Sequence, residues 1–462
     1  MDVDLMVTAG LGDNSYLISS GDEAALIDPQ RDIGRFLAGA EARGASIRAV
    51  LETHVHNDYV SGALEVHDAT GADIVGPARG GYGFPVRGVA EGDEVKVGDL
   101  VLVALETPGH TPEHVSFAVY EAGSDRPLAI FTGGSLMVGN AGRTDLLGPA
   151  LTDELTRAQY RTLRRLATFP DQVEVLPTHG AGSFCGAGPA PKERTSTIGE
   201  ERRRNGALTA PDEAAFAEHQ LGKLLAFPDY YAQMAPINRA GPRLLRDVPS
   251  PVALSPEAFA GRVEAGDFVV DARWRVPYAR AHIAGSVNIE LGDTFASYVG
   301  WIVPFDVPLA LVLPEPEGEA LEEAVTQLLR VGYEHVTGYL AGGIDAWRAE
   351  DRPIASYPVA GLEELCRAHR AGRATNIIDV RQDVEWNSIS IPGSRHLFVG
   401  DLPGRIEEVP RDDEAWVICA SGQRSSIAAS VMDRAGIPVR LVDGTGVRDF
   451  LRNCGPGTTD GG

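Results

Sequence analysis

Two groups of side chains in this sequence could do chemistry. The first centres on Cys419. An apolar, β-rich run, Ala415–Trp416–Val417–Ile418, leads straight into Cys419–Ala420–Ser421–Gly422–Gln423–Arg424–Ser425, and a helical pattern follows from Ser426 to Ala435. That places the thiol at the start of a helix, where backbone N–H groups lack intrahelical partners and attract negative charge. Arg424 adds a cation, Gly422 lets the backbone curl toward the sulfur, and Ser425 adds a hydroxyl. Such a loop favours a thiolate and, equally, a persulfide anion, so Cys419 is read as a nucleophile. A cysteine merely buried at a strand end would account for the thiol but not for the glycine, the arginine and the helix together.

The second group is histidine. Thr53–His54–Val55–His56–Asn57–Asp58 follows the strand pattern Ala49–Leu51, and two imidazoles and a carboxylate at alternate positions of a strand-end loop can converge on one metal ion. Thr107–Pro108–Gly109–His110–Thr111 and Pro177–Thr178–His179–Gly180 also follow strand patterns. One such histidine would be ordinary hydrogen bonding. Three strand-end sites in order, the first of them HxHxD, predict a metal centre drawn from His54, His56, Asp58, His110 and His179.

The elements that must position these groups fall into three stretches. Residues 1–180 alternate β-rich runs (Asn14–Asp28, Ala49–Thr53, Asp99–Glu106, Leu128–Phe131) with helical patterns over Ile33–Arg43 and Glu154–Phe169. Residues 181–250 open on the Gly/Ala/Pro-rich Gly180–Pro191 and keep aromatic and apolar residues throughout, which reads as an ordered helical extension rather than disorder. From about 252 a strand–helix unit occurs twice, Phe268–Arg273 to Trp347 and Asn376–Arg381 to Phe450. Each copy opens on a strand ending in Asp-x-Arg, carries an Ile-x-Gly-Ser turn (Ile283–Ser286, Ile391–Ser394) and closes on glycines before a helix. A tandem duplication is the simplest account. In the first copy the segment matching Cys419 reads Leu309–Ala310–Leu311–Val312–Leu313–Pro314–Glu315–Pro316, with Pro314 expected where the nucleophile should stand. Proline offers neither a nucleophile nor an N–H.

The Cys419 loop resembles the active loop Cys-x-x-Gly-x-Arg-Ser/Thr of the rhodanese family, and both copies resemble rhodanese domains over their whole length. The six-residue loop from Cys419 to Arg424 suits a sulfur atom, whereas related phosphatase and arsenate-reductase loops have one residue more. Residues 1–245 resemble the metallo-β-lactamase superfamily, most closely its persulfide dioxygenase branch, through Ile27–Asp28–Pro29, the HxHxD segment, Pro-Gly-His-Thr, Gly142–Arg143–Thr144–Asp145 and His179–Gly180–Ala181–Gly182–Ser183. The extension, with Phe-Pro-x-Tyr-Tyr and Asn-Arg-x-Gly-Pro, resembles fusions of that branch to an inactive and then an active rhodanese. The implied fold class is α/β multidomain: a metallo-β-lactamase αββα sandwich over 1–245, an inactive rhodanese-like domain over 252–356 and a rhodanese domain over 358–456. The resemblance makes His54 and His110 ligands of Fe(II) and puts His56, Asp58 and His179 beside them. It also implies substrate contacts from Arg143, Asp145, Tyr59 and Cys185. Two positions depart from the pattern. Tyr59 stands where dinuclear hydrolases have histidine, and Gly134, in Phe131–Thr132–Gly133–Gly134–Ser135, replaces an expected aspartate ligand. Asp58 is the candidate to take its place.

Three functions follow as expectations. One couples sulfane-sulfur transfer through Cys419 to oxidation of a low-molecular-weight persulfide, such as a glutathione persulfide, with sulfite and thiosulfate as products or partners. Another is a sulfurtransferase whose first module has lost its metal through Gly134. The third is a mononuclear zinc thioester hydrolase. The 65 acidic against 41 basic residues of the 462 give a net charge of −24, which repels nucleic acid and anionic lipid. No run reaches the ~18 apolar residues of a membrane span. The N-terminus reads as a strand, and the four cysteines (185, 366, 419, 454) form no disulfide framework, with Cys366 in a core and Cys454 incidental. A cytoplasmic homo-oligomer, dimer or tetramer, is expected.

Overall fold

In the computed structural model the described residues are 1–188, 191–222 and 224–454. Two residues of the expected Gly180–Pro191 stretch and the last two of the expected third module therefore lie outside them. The chain forms two compact units, one of Met1–Val248 with Leu329–Gly332 and one of the remaining residues from Pro249 on.

The first unit is two six-stranded sheets packed face to face with helices outside. One sheet runs Asp2–Thr8, Asp13–Ser20, Glu23–Ile27, Ser46–Leu51, Asp73–Pro77, Arg87–Val89. The other runs Ser196–Thr197, Glu174–Pro177, Pro127–Gly133, Val115–Glu121, Leu100–Glu106, Glu94–Val97. Alternate residues of the strands meet between the sheets: Tyr16, Ile18, Ile27 and Leu51 from one side, Leu102, Phe117, Phe131 and Leu176 from the other. The opposite faces take helices, Phe36 and Val66 packing on Leu17 and Val50, and Leu163 and Leu166 on Ile130 and Val175. The β-rich run Asn14–Asp28 divides into two strands at Gly21, whose φ of +61° makes the hairpin turn. The long helix starts earlier than expected, at Pro149, because proline is well tolerated in a first helical turn. The extension is helical, over Ile198–Arg204, Gly206–Thr209, Glu213–Leu221 and Tyr231–Ala240.

In the second unit the two repeats form five-stranded parallel sheets of identical order. The first is Val252–Leu254, Val336–Leu340, Leu309–Val312, Phe268–Asp271, Val287–Asn288. The second is Val359–Ala360, Val439–Val442, Ala415–Ile418, Asn376–Asp379, Arg395–His396. The duplicated motifs repeat contact for contact. Arg273 Nε and Arg381 Nε each donate to the aspartate two residues back at 2.9 Å. Ser286 and Ser394 each donate to the carbonyl three residues back, at 2.6 and 2.7 Å. The sheets also correct the register of the nucleophile position. Asp271 pairs with Val312 and Asp379 with Ile418, so the residue matching Cys419 is the buried Leu313 and not Pro314.

A second correction concerns the cysteines. Cys366 and Cys454 form a disulfide, Cα–Cα 5.3 Å, joining the helices Leu362–Arg370 and Val447–Cys454 inside the core of the second repeat. Eighty-eight residues separate the two in sequence, so no local spacing announces the pair. No described helix is long and apolar enough to cross a membrane.

Candidate active sites

The strand Ala415–Ile418 is buried throughout and delivers Cys419 to its end. Val447 N–H donates to the Cys419 carbonyl at 3.1 Å, pinning the residue from the following loop. Gly422, at φ +115°, turns the chain back so that its N–H donates to Cys419 Sγ at 3.2 Å, and the helix Gln423–Arg434 begins there. Cys419 is 1% exposed, while Ala420 and Ser421 beside it face solvent. The sulfur is thus enclosed at the surface with an amide aimed at it, an arrangement that holds negative charge. Ser425 Oγ is buried without a hydrogen-bond partner.

Arg424, the cation expected beside the thiol, lies within electrostatic reach of Cys419 and is itself paired. Its guanidinium makes two hydrogen bonds to Glu385, at 2.5 and 3.0 Å. Burial opposes ionisation of Glu385, yet Arg424 holds its carboxyl below the ordinary range. Tyr298, from the first repeat, faces Arg424 and Cys419, and burial pushes its hydroxyl up to about 12.

The histidine cluster lies at the strand ends of the first unit. His54 and His56 follow Ser46–Leu51, His110 follows Leu100–Glu106, and His179 follows Glu174–Pro177; all four are fully buried. Their partners fix their tautomers. Thr53 Oγ1 donates to Asp28 at 2.7 Å, so it accepts the proton on His54 Nδ1, 2.8 Å away. His110 Nδ1 donates to the Arg143 carbonyl at 2.8 Å, and His179 Nδ1 donates to Asp13 at 2.8 Å. Each ring therefore turns its Nε2 inward, with a free lone pair whenever the imidazole is neutral. The three converge within metal-binding reach, the Nε2 atoms of His54 and His179 only 3.4 Å apart, and His110 Nε2 has no hydrogen-bond partner. Two Nε2 atoms so close need a cation between them, either a proton on His179 or a metal ion. His56 Nδ1 is likewise buried and unpartnered, as is Asp58, whose carboxylate lies 3.3 Å from His179 Nδ1 without hydrogen-bond geometry. The donor set fits a divalent metal ion of the imidazole-preferring kind, with His54, His110 and His179 as its core and His56 and Asp58 adjoining.

Without a metal, charge is shared by protons. Burial disfavours a cation at His179, but Asp58 and Asp13 outweigh it and push that ring up to about 9. Burial, then the charge of His179, drives His110 down to about 3. His56 turns Nε2 to Glu52 at 3.1 Å and Asp28 at 3.3 Å, and these carboxylates overcome burial to raise it well above its ordinary value.

Gly134 stands against the cluster, and a Cβ there would lie 2.2 Å from His110 Cδ2. The His110 ring occupies the space that the expected aspartate would need. Gly134 N–H donates to Nε2 of His114 at 3.0 Å, which removes that histidine from metal binding.

Three of the expected substrate contacts are otherwise engaged. Arg143 pairs with Asp145 through two bonds of 2.7 Å, donates to the carbonyls of Phe184 and Leu225, and lies over the Phe227 ring. It clamps the extension to the strand ends, and Asp145 is its ion-pair partner. Tyr59 is buried, its hydroxyl donating to the Asp28 carbonyl at 3.1 Å and lying 3.0 Å from His56 Nε2. Cys185 is buried near the site: burial, followed by the charges of Asp58 and Asp13, holds its thiol well above its ordinary range. Reading the sequence missed Asp13, Glu52 and His114, which carry no local signal. It also missed Asn238 of the extension, which donates to the carbonyls of His56 and Tyr59 at 2.9 Å.

Residues 9–179 match the metallo-beta-lactamase superfamily model, and residues 255–350 and 362–450 match that of the rhodanese-like domain. A hydroxyacylglutathione hydrolase of Cereibacter sphaeroides is 32% identical over 184 residues, 39% of this chain and 67% of the relative. The crystal structure of a metallo-beta-lactamase from Staphylococcus aureus shares 29% identity, covers 73% of this chain and 98% of its own, and superposes with a TM-score of 0.66. That of ETHE1 from Myxococcus xanthus shares 29% identity over 52% of this chain and 99% of its own, with a TM-score of 0.45.

Proposed function

We propose that this chain, which belongs to the metallo-beta-lactamase superfamily and continues into two rhodanese-like domains, carries sulfane sulfur as a persulfide on Cys419 and couples that transfer to oxidation of a low-molecular-weight persulfide in its first unit. The observation that carries the transfer is the Gly422 N–H aimed at Cys419 Sγ at 3.2 Å, at the start of a helix. The Cys419 thiolate attacks the outer sulfur of thiosulfate, the S–S bond breaks, and sulfite leaves with the electron pair. The negative terminal sulfur then lies against the loop amides and near the Ser425 hydroxyl. An acceptor thiolate, cyanide or sulfite attacks that sulfur, and Cys419 leaves as thiolate. No net redox change occurs.

For the first unit, His54, His110 and His179 would hold the metal, with His56 and Asp58 beside it. Bound iron would supply activation of O₂ toward the persulfide sulfur. The chain's own residues orient the rings: Thr53, Asp13 and the Arg143 carbonyl each fix one imidazole, and Asn238 fixes the loop that carries His56. The names of the hydrolase relatives point to a glutathione-type thiol as the carrier of the substrate. Tyr59 speaks against a two-zinc hydrolase, since a phenol turned toward Asp28 replaces an imidazole that a second ion would need. Gly134 favours one second reading, a metal-poor first unit serving only as an assembly domain, because it takes a carboxylate from the donor set.

Mass spectrometry after incubation with thiosulfate tests the transfer: Cys419 should gain one sulfur atom, and Cys419→Ser should lose thiosulfate:cyanide transfer. Undiminished transfer in that variant would refute the assignment. Metal content and O₂ uptake with glutathione persulfide test the first unit. Stoichiometric iron with no uptake would refute the oxidation, and an empty purified site that takes up no iron would establish the second reading.

A further inference from the structure

The first repeat has Leu313 where the second has Cys419, yet it sends a charged side chain into the sulfur site. Arg275, at the start of the helix Arg275–Arg280, is 8% exposed. Its Nη1 donates to Glu290 at 2.6 Å, its backbone N–H to the same carboxylate at 2.8 Å, and its Nε to Asp443 of the second repeat at 2.5 Å. Asp443 follows the strand Val439–Val442, neighbour of the strand that delivers Cys419. A Cβ built on Gly422 would lie 2.3 Å from Asp443 Oδ1 and 3.0 Å from Arg275 Nε. The carboxylate therefore packs on the very residue whose N–H faces the sulfur. Left alone, an anion there would oppose a thiolate or persulfide. Three further contacts seat one face of the Cys419 helix on the first repeat: Gln423 donates to Thr294 at 3.2 Å, Ser426 to Asn288 at 2.6 Å, and Asn288 N–H to Ser430 at 3.0 Å.

We propose that Arg275 of the non-nucleophilic repeat is a positioning residue of the Cys419 site, holding Asp443 and offsetting part of its charge so that the Gly422 turn can hold a negatively charged sulfur. The proposal rests on the reading of Cys419 as a sulfur carrier. Other charged or titratable groups around the loop are Arg424 from its own helix, Glu385 paired with it, Tyr298 from the first repeat, Glu290 behind Arg275, and Asp449, which accepts from the Gly446 N–H where that turn packs on Ala420. Arg424 bonds to Glu385, whereas Arg275, shared between Glu290 and Asp443, is the cation in contact with Asp443.

The test uses the full chain and two readouts: the rate of Cys419 alkylation by iodoacetamide at fixed neutral pH, followed on the Cys419 peptide, and kcat/KM for thiosulfate:cyanide transfer. Arg275→Met should slow both about tenfold, the effect of leaving a carboxylate unanswered beside a negatively charged sulfur. Arg275→Lys should stay within about threefold of wild type, and adding Asp443→Asn to Arg275→Met should recover most of the loss. A packing role alone would not be rescued by removing a carboxylate. Should Arg275→Met fail to fold, Asp443→Asn alone decides, since it should speed alkylation, and slower alkylation would overturn the proposal. So would an Arg275→Met rate within twofold of wild type, or a loss that Asp443→Asn leaves untouched. Wild-type protein that alkylates readily but transfers no sulfur would sink the reading of Cys419 as a carrier while leaving the charge balance intact.

Discussion

Gly422→Ala perturbs the sulfur site at one atom. The residue has φ +115°, where an L side chain costs about 1–2 kcal/mol. The added methyl would sit 2.3 Å from Asp443 Oδ1, which is held by Arg275 at 2.5 Å and cannot simply retreat. An ordinary carbon–oxygen contact needs about 3.4 Å, so the turn must move by roughly 1 Å. The Gly422 N–H lies 3.2 Å from Cys419 Sγ, and a shift of that size takes it beyond hydrogen-bonding range. A hydrogen bond to a charged group contributes about 1.5–3 kcal/mol, which corresponds to a loss of roughly 10–150-fold in kcat/KM for thiosulfate:cyanide transfer. Steady-state transfer assays beside thermal melts provide the check: activity should fall by one to two orders of magnitude while the second unit still melts cooperatively. A folded variant within threefold of wild type would refute the view that this amide stabilises the sulfur.

Arg143→Met should destabilise the first unit by roughly 3–5 kcal/mol, since it leaves a buried ion pair broken and two carbonyls unanswered; urea unfolding of the full chain should show the first unit's transition moving alone, and a stable variant with impaired substrate binding would instead restore the substrate role. His110→Ala should cut metal affinity at least tenfold by removing one of three converging nitrogens, as read by metal analysis after dialysis, whereas His114→Ala, whose Nε2 is taken by Gly134, should keep the ion. Chelating any bound metal should lower the melting temperature of the first unit only, through loss of linkage. Glu385, held below its ordinary value of 4.5 by Arg424 against burial, contributes stability that is present above about pH 4.5 and lost as acid protonates it. Melting temperatures of wild type and Glu385→Gln should therefore differ at neutral pH and converge in acid.

What could be read from the residues alone was whatever a few consecutive positions determine. A strand, a cysteine, a glycine and a helix within eleven residues specify an anion-binding turn, because backbone geometry dictates where those N–H groups point. The alternating His54–Val55–His56–Asn57–Asp58 is legible as a candidate metal loop for the same reason, and the repeated Asp-x-Arg and Ile-x-Gly-Ser motifs specify a duplicated sheet because each closes on itself within a few residues. Packing decided the rest. His179 takes its tautomer from Asp13, 166 positions away, and Arg275 reaches Asp443 across 168. Cys366 finds Cys454 across a hydrophobic core, and Arg143 donates to two distant carbonyls, those of Phe184 and Leu225. The placing of Leu313 rather than Pro314 opposite Cys419 needed the strand register. Contacts between distant residues are set by which buried faces meet and which polar atoms must then be satisfied, and chain order carries no record of that until the sheets have closed.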